Sequence, residues 1–131
     1  EEDAGLVVAI DHARRLLRPG SRLLVLADAA SAAAVPARDW AAVGAHCDAL
    51  VLLLDDPVER SPPWARLGFV QGEGRVDLDL ASEAQRARWR DAFDAPRDTA
   101  VQQLRRAGIG VESLSSNAAS DAWLPAFAGG R

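Results

Sequence analysis

Two uninterrupted apolar runs, each followed by an aspartate, constrain the fold of this chain more than any other feature. Leu23 to Ala27 and Ala49 to Leu54 lack the alternation of a half-exposed strand. Such runs are typical of strands in a parallel sheet, which helices cover on both faces. Asp28 and Asp55 then end neighbouring strands, at the edge where open α/β sheets bind ligands.

Segments with helical spacing alternate with these strands. Leu6 to Leu17 predicts an amphipathic helix that ends before Pro19-Gly20, and a short helix beginning near Asp39 follows the first strand. The small residues of 29–36 predict a flexible connection between the two. A third strand over Ile109 to Leu114 precedes a last helix, which the apolar residues around Trp123 predict.

The middle of the chain predicts a hairpin and a long helix. Leu67 to Val70 and Arg75 to Leu80 flank a glycine-rich turn, and the second run alternates apolar and polar residues. Ser82 and Gln85 have the spacing of a capping box, in which each side chain accepts a bond from a backbone N–H at the helix start. Pro96 predicts that the following helix kinks or restarts near residues 94–96.

Composition narrows the functional classes. The 131 residues suffice for one domain, 1–131, and no linker divides them. All fifteen basic residues are scattered arginines and the net charge is -4, which argues against nucleic acid as a partner. The chain has one cysteine, Cys47, and its apolar runs are much shorter than the roughly 20 residues of a membrane span. Both observations indicate a cytoplasmic protein without a membrane segment.

Strand-end carboxylates are the main candidates for chemistry. Asp28, Asp55 and Asp56 could ligate a hard cation such as Mg²⁺ or serve a hydrolytic enzyme, the alternative function. Short acidic side chains at strand ends also cap helices and begin turns, and this interpretation is favoured for all three. Glu59, three residues after Asp56, completes a possible acid–base pair, for which a turn is again the favoured interpretation.

Other motifs carry weaker signals. His46-Cys47-Asp48 contains the residue types of a thiol hydrolase, but adjacent residues seldom converge, and the end of a helix is favoured. The glycines between residues 68 and 74 lie in a hairpin and do not open a helix, so they form no phosphate-binding loop. Trp64, which follows two prolines, is either an exposed recognition residue or packs over the hairpin.

Several short motifs, in their order and spacing, resemble one bacterial family. They are Leu17 to Asp28, His46-Cys47-Asp48-Ala49-Leu50, Asp56-Pro57-Val58-Glu59, Val76-Asp77-Leu78, Arg106-Ala107-Gly108-Ile109 and Leu114-Ser115-Ser116. In these motifs the chain resembles the domain-of-unknown-function 58 (DUF58) family, which has a von Willebrand factor A-like C-terminal domain. The resemblance covers nearly the whole chain.

The resemblance implies a fold and a metal site. The fold is α/β: the second half of a doubly wound, mostly parallel von Willebrand factor A-like sheet with flanking helices and one β-hairpin. In the order 3-2-1-4-5-6, this chain would supply the last three parallel strands. The family's Asp-x-Ser-x-Ser loop is absent, so Asp28 would be the remnant of a Mg²⁺ site that only the full-length protein completes, with Ala27 in place of the family's serine.

The resemblance also implies a function. Family members are similar to adaptors that work with MoxR-type AAA+ ATPases, and some have N-terminal membrane segments. This predicts a protein-binding module, not an enzyme, with Asp55, Asp56, Glu59 and Trp64 as candidate partner-binding residues. Without the first half of the sheet, the strand ending at Asp28 has a free apolar edge, which predicts a homo-oligomer through that edge.

Overall fold

The computed structural model describes residues 4–129, which contain six helices and five strands. The helices are α1 (Ala4–Leu16), α2 (Ala29–Ala34), α3 (Ala37–His46), α4 (Pro57–Arg60), α5 (Glu83–Arg106) and α6 (Leu124–Ala128). The strands are β1 (Arg22–Asp28), β2 (Asp48–Asp55), β3 (Arg66–Gln71), β4 (Gly74–Asp79) and β5 (Gly110–Ser115). The predicted α/β class is confirmed.

A three-stranded parallel sheet has the order β1-β2-β5. β2 lies in the centre, and its residues Ala49 to Leu53 are all buried. Val25 of β1 and Val111 of β5 flank Val51 on either side. The uninterrupted apolar runs therefore form neighbouring parallel strands, as their lack of alternation predicts.

One face of the sheet carries the core of the protein. Val25, Val51 and Leu53 point to this face and pack with α1, α2, α3 and the second half of α5. Trp40 of α3 is fully buried there, and its indole Nε1 donates a hydrogen bond of 3.1 Å to the carbonyl of Ala32. That bond satisfies the one polar atom of a large apolar side chain.

The opposite face is covered less completely. Leu52 is fully buried, but Leu26 beside it is 55% exposed and Leu54 is 40% exposed. Phe127 of α6 reaches this face, where its ring centroid lies 4.6 Å from the guanidinium carbon of Arg22. Doubly wound sheets carry helices on both faces, whereas here a helix of five residues lies on this one.

The predicted hairpin is confirmed, since β3 and β4 pair antiparallel. It packs on the first half of α5 through a row of aromatic rings. Phe69 lies 5.0 Å from Trp89, and Trp89 lies 4.8 Å from Phe93, measured between ring centroids. These contacts attach the hairpin to the long helix and not to the parallel sheet.

The start and the middle of α5 differ from the predictions. The Ser82 side chain makes no capping bond, and Gln85 Oε1 instead accepts from the backbone N–H of Asp79 at 2.7 Å, so the predicted capping box is wrong. The predicted restart of the helix is also wrong, because α5 runs for 24 residues with Pro96 inside it. Packing of Ala100 and Leu104 in the core outweighs the hydrogen bond that proline removes.

A glycine allows α3 and the end of α5 to approach closely. A Cβ built on Gly44 would lie 1.9 Å from the carbonyl oxygen of Ala107. Gly108, which follows, has φ +73°, the left-handed conformation of a helix-ending glycine, as the sequence predicts. No helix within residues 4–129 has the length and apolarity needed to cross a membrane.

Candidate functional site at the carboxyl edge of the sheet

A cleft of about 240 Å³ opens at the carboxyl ends of β1 and β2. It is lined by Asp28, Ala29, Ala30, Leu54, Asp55, Glu59, Arg60, Ala92, Phe93, Asp94, Pro96 and Arg97. Asp28 and Asp55 meet at this edge because β1 and β2 are parallel and in register, with Asp28 beside Leu54. The cleft thus forms where open α/β sheets bind ligands.

Asp28 caps α2. Its Oδ1 accepts a hydrogen bond of 2.8 Å from the backbone N–H of Ser31, and its Oδ2 accepts one of 2.7 Å from the Ser31 hydroxyl. The stretch 29–36 therefore begins with a helix, and the predicted flexible connection is wrong. Partial burial raises the pKa of Asp28, but the bonds from Ser31 outweigh it, so this pKa lies below its ordinary value.

Asp55 is the most deeply placed carboxylate of the cleft. Its side chain is 6% exposed, and its Oδ2 pairs with Arg60 and, at 3.5 Å, with Arg97. Its other oxygen, Oδ1, is buried and has no hydrogen-bond partner in the described part of the chain. The two arginines therefore offset the charge of a carboxylate that is almost fully buried.

Asp56 and Glu59 form a capping box at the start of α4. The backbone N–H of Val58 donates to Asp56 Oδ1 at 2.9 Å, and that of Asp56 donates to Glu59 Oε2 at 3.4 Å. The favoured turn is thus the first turn of a short helix. Asp56 also accepts from the Ser116 hydroxyl at 3.4 Å, and it is not among the residues that line the cleft.

Glu59 faces the other carboxylates of the cleft. Burial raises the pKa of Glu59, and the negative charges of Asp55, Asp56 and Asp28 raise it further. The hydrogen bond from the Asp56 backbone acts in the opposite direction and does not offset these effects. The carboxylates therefore interact through space although they belong to two strand ends and one helix.

Sequence reasoning missed the α5 wall of the cleft. Phe93, Pro96 and Arg97 line it, and Arg97 also contacts the Ser113 hydroxyl of β5. Local periodicity places these residues on a helix but does not say which strand ends that helix crosses. The sequence marks this wall only through Pro96, which lacks a backbone N–H and cannot donate the helical hydrogen bond to the Ala92 carbonyl.

The remaining candidates lie away from the cleft. Trp64 is 66% exposed, and the Arg86 guanidinium carbon lies 3.8 Å from its ring centroid, so the side chain stacks on α5. His46 ends α3, as favoured, and its Nε2 is 2.9 Å from the Leu17 carbonyl. Neighbouring Cys47 is half-buried, and neither residue lines the cleft.

The residues that the structure describes do not by themselves form a cation site. Within residues 4–129, no three His, Cys, Asp or Glu side chains are arranged to hold a metal ion. Both oxygens of Asp28 accept bonds from Ser31, and Arg60 and Arg97 neutralise Asp55. A Mg²⁺ ion here would need ligands from outside the described residues.

Comparison with protein-family models, with curated proteins and with solved structures finds no match to this chain.

Proposed function

We propose that this chain is a protein-binding module, the second half of a von Willebrand factor A-like domain of the DUF58 type. The supporting fold feature is the set of three parallel strands in sequential order, with a free strand edge where a first half would pair. The thin cover over Leu26 and Leu54 on one face is also consistent with a larger doubly wound sheet.

The acidic lining of the cleft carries the proposal, because Asp28, Asp55 and Glu59 all line it. Arg60 and Arg97 pair with Asp55, whereas Asp28 and Glu59 form no ion pair within residues 4–129. The pKa of Glu59 is raised, first by burial and then by the negative charges of Asp55, Asp56 and Asp28. A partner that inserts an arginine or lysine side chain would offset this negative charge.

The apolar lining favours a protein partner over a small polar ligand. Phe93, Leu54 and Pro96 surround the carboxylates, and protein interfaces combine such an apolar centre with a few charged groups. The proposed partner is a MoxR-type AAA+ ATPase. In the full-length protein Mg²⁺ would use Asp28 as one ligand, which requires Asp28 to give up part of its cap on α2.

Calorimetry with the MoxR-type ATPase of the same genome tests the proposal. Glu59→Gln, which keeps the size of the side chain, should weaken binding about tenfold if a partner cation occupies the cleft. Glu112→Gln is the matched control, because Glu112 lies exposed on β5 and does not line the cleft. Equal binding by both variants would contradict the cleft as the interface.

The metal component has its own test on the full-length protein. If Mg²⁺ contributes, partner binding falls in a chelator and in Asp28→Ala. Asp28→Asn separates the two roles of this residue, since asparagine caps a helix almost as well but ligates Mg²⁺ weakly. Binding that is unchanged in all three conditions would rule out Mg²⁺ dependence.

A hydrolytic enzyme is the second candidate, and the raised pKa of Glu59 favours it. A carboxyl group of raised pKa is suited to general acid–base catalysis. Among the carboxylates of the cleft, Glu59 has the raised pKa and would be the proton carrier, whereas the pKa of Asp28 is lowered. Turnover of ester or phosphate substrates that Glu59→Gln abolishes would establish this activity, and the absence of turnover would reject it.

A further inference from the structure

A groove of about 230 Å³ lies between the hairpin and the first half of α5. It is lined by Leu78 of β4 and by one face of the helix, which contributes Gln85, Arg88, Trp89 and Ala92. We propose that this groove binds an extended peptide segment of a partner protein, which adds to β4 as a third strand and carries an acidic residue beside an apolar one. The groove belongs to the hairpin and not to the parallel sheet, so the proposal leaves the edge of β1 to the first half of the domain.

The outer edge of β4 faces this groove. The backbone N–H of Asp79 donates to Gln85 Oε1 on α5 at 2.7 Å, so it points away from β3 and toward the helix. In an antiparallel pair, the backbone groups of alternate residues point to opposite sides of the strand. Those of Asp77 and Arg75 therefore point to the same side as the N–H of Asp79, and Gln85 occupies only one end of the edge. These groups are what a third strand bonds to.

The floor of the groove is apolar and held in place before any ligand binds. Val76 projects to the same side of β4 as Leu78, and it is 42% exposed, so it has area to bury. The Trp89 ring lies 5.0 Å from that of Phe69, and its Nε1 donates a hydrogen bond of 3.0 Å to the Glu59 carbonyl. A site that is already ordered loses less entropy when a ligand binds.

Arg88 gives the groove a positive charge. It is exposed, it is the only charged one of the five lining residues, and the ion pairs of α5 within residues 4–129 use Arg90 and Arg97 instead. Asp77 does not offset this charge in the groove, because it alternates with Leu78 and projects to the other face of the hairpin. An acidic side chain of the peptide is therefore complementary to Arg88.

The spacing of an extended chain fits both requirements. Residues two positions apart in a strand share a face and lie about 7 Å from each other. An apolar side chain then covers Leu78 and Trp89, while the acidic residue two positions along meets the flexible side chain of Arg88. Main-chain bonds to Asp77 and Arg75 supply affinity that does not depend on the ligand sequence, and the two side chains supply specificity.

Fluorescence anisotropy with a labelled peptide of about nine residues tests the proposal. The peptide has leucine at its centre, glutamate two positions to either side and threonine elsewhere, so it fits in either strand direction. Saturable binding is expected. A peptide with lysine in place of both glutamates should bind about tenfold more weakly, because its charges repel Arg88.

Asp77→Pro tests strand addition, because proline removes the N–H that this residue offers to the groove and no hydrogen bond to β3. The Kd of the glutamate peptide should rise about tenfold. The lost carboxylate by itself favours an acidic peptide, so weaker binding reports the lost backbone donor. Val70→Pro is the matched control, since Val70 pairs with Arg75 and its N–H points outward from the opposite edge of the hairpin.

Methylated peptides test the same bonds without changing the protein. One peptide carries N-methyl groups on one alternate set of its amides, and a second peptide carries them on the other set. Only one set points at β4 in an added strand, so one of the two peptides should lose binding and the other should keep most of it. Equal binding by the two would contradict strand addition.

Arg88→Gln should raise the Kd of the glutamate peptide about fivefold, and Arg88→Glu should reverse the preference so that the lysine peptide binds more tightly. Arg90→Gln is the control, because it removes the same charge two residues away on α5 from a side chain that does not line the groove. Its Kd should stay within about twofold of the wild-type value.

Any of three results would overturn the proposal. The first is a chain that binds neither peptide at millimolar concentration. The second is a folded Asp77→Pro variant that binds as the wild-type chain does, with near-ultraviolet circular dichroism of the Trp89 cluster as the check on folding. The third is a chain that dimerises by itself and that Asp77→Pro makes monomeric, which would assign the groove to β4 of a second copy. None of them bears on partner binding at the cleft, which is measured with Glu59→Gln.

Discussion

The carboxylate of Asp55, at the end of β2, meets the guanidinium of Arg97 on α5 at 3.5 Å, although 42 residues separate them. This contact ties the long helix to the carboxyl edge of the sheet and forms one wall of the cleft. It also keeps a nearly buried carboxylate next to a positive charge. The first prediction tests how much this pairing stabilises the fold.

Arg97→Leu should lower the free energy of unfolding by about 1–3 kcal/mol, because Asp55 loses one of its two cations while it stays buried. Urea unfolding followed by circular dichroism measures the change. Arg90→Leu is the control, since Arg90 pairs with Glu83 on the exposed side of α5 and should matter by less than about 0.5 kcal/mol. Equal losses would contradict a structural role for the Asp55 pair.

Asp28→Ala should lower the free energy of unfolding at neutral pH by about 1 kcal/mol, the usual effect of losing an N-cap. Asp28→Asn should retain most of the stability that the N-cap provides. Because the folded pKa of Asp28 is lowered, its charged form stabilises the fold above the ordinary value of 3.8, and this contribution is lost as the pH falls through the lowered pKa.

Urea unfolding of both Asp28 variants from neutral pH to below pH 3.8 measures that dependence. Asp28→Asn should lose less stability on acidification than the wild-type chain, because it has no carboxylate to protonate. A wild-type chain and an Asp28→Asn variant with the same acid dependence would show that the carboxylate charge does not stabilise α2.

Glu59→Gln should remove a part of the pH dependence that has the opposite sign. The folded pKa of Glu59 is raised, so the unfolded chain loses its proton first as the pH rises from the ordinary value of 4.5, and the fold loses stability until the folded chain also ionises. Glutamine keeps the capping-box acceptor without this cost. The variant should therefore lose less stability than the wild-type chain over that rise.

Glu112→Gln, on exposed β5, is the control for Glu59→Gln, and urea unfolding across the same pH range measures both. The free energy of unfolding of the control should change with pH as that of the wild-type chain does. If that of Glu59→Gln changes in the same way, the carboxylates of the cleft do not act on one another.

Gly44→Ala should lower the free energy of unfolding by about 1–3 kcal/mol, because the new Cβ meets the Ala107 carbonyl and forces α3 away from the end of α5. Gly5→Ala, in the open first turn of α1, meets nothing within 4 Å and should stabilise by up to about 1 kcal/mol. Thermal or urea unfolding compares the two. A neutral Gly44→Ala would contradict the close contact between the helices.

The helix starts show why part of the local structure was mispredicted. Ser82 and Gln85 have capping-box spacing but do not form one, whereas Asp56 and Glu59 form the box where a turn was favoured. Both sequences satisfy the same local rule. Gln85 is drawn instead to the Asp79 backbone at the end of the hairpin, and no rule of spacing predicts that contact.

The sequence by itself determined that Leu23 to Ala27 and Ala49 to Leu54 form parallel strands, because continuous apolar runs are typical of such strands. It did not determine how far the sheet is covered, since Leu26 of β1 is 55% exposed. It also placed Asp28 and Asp55 at one edge of the sheet. Only the tertiary structure decided that α5 passes over that edge and brings Arg97 to Asp55. The periodicity of a helix specifies which of its faces is apolar, but the strand ends it crosses depend on how the whole core packs.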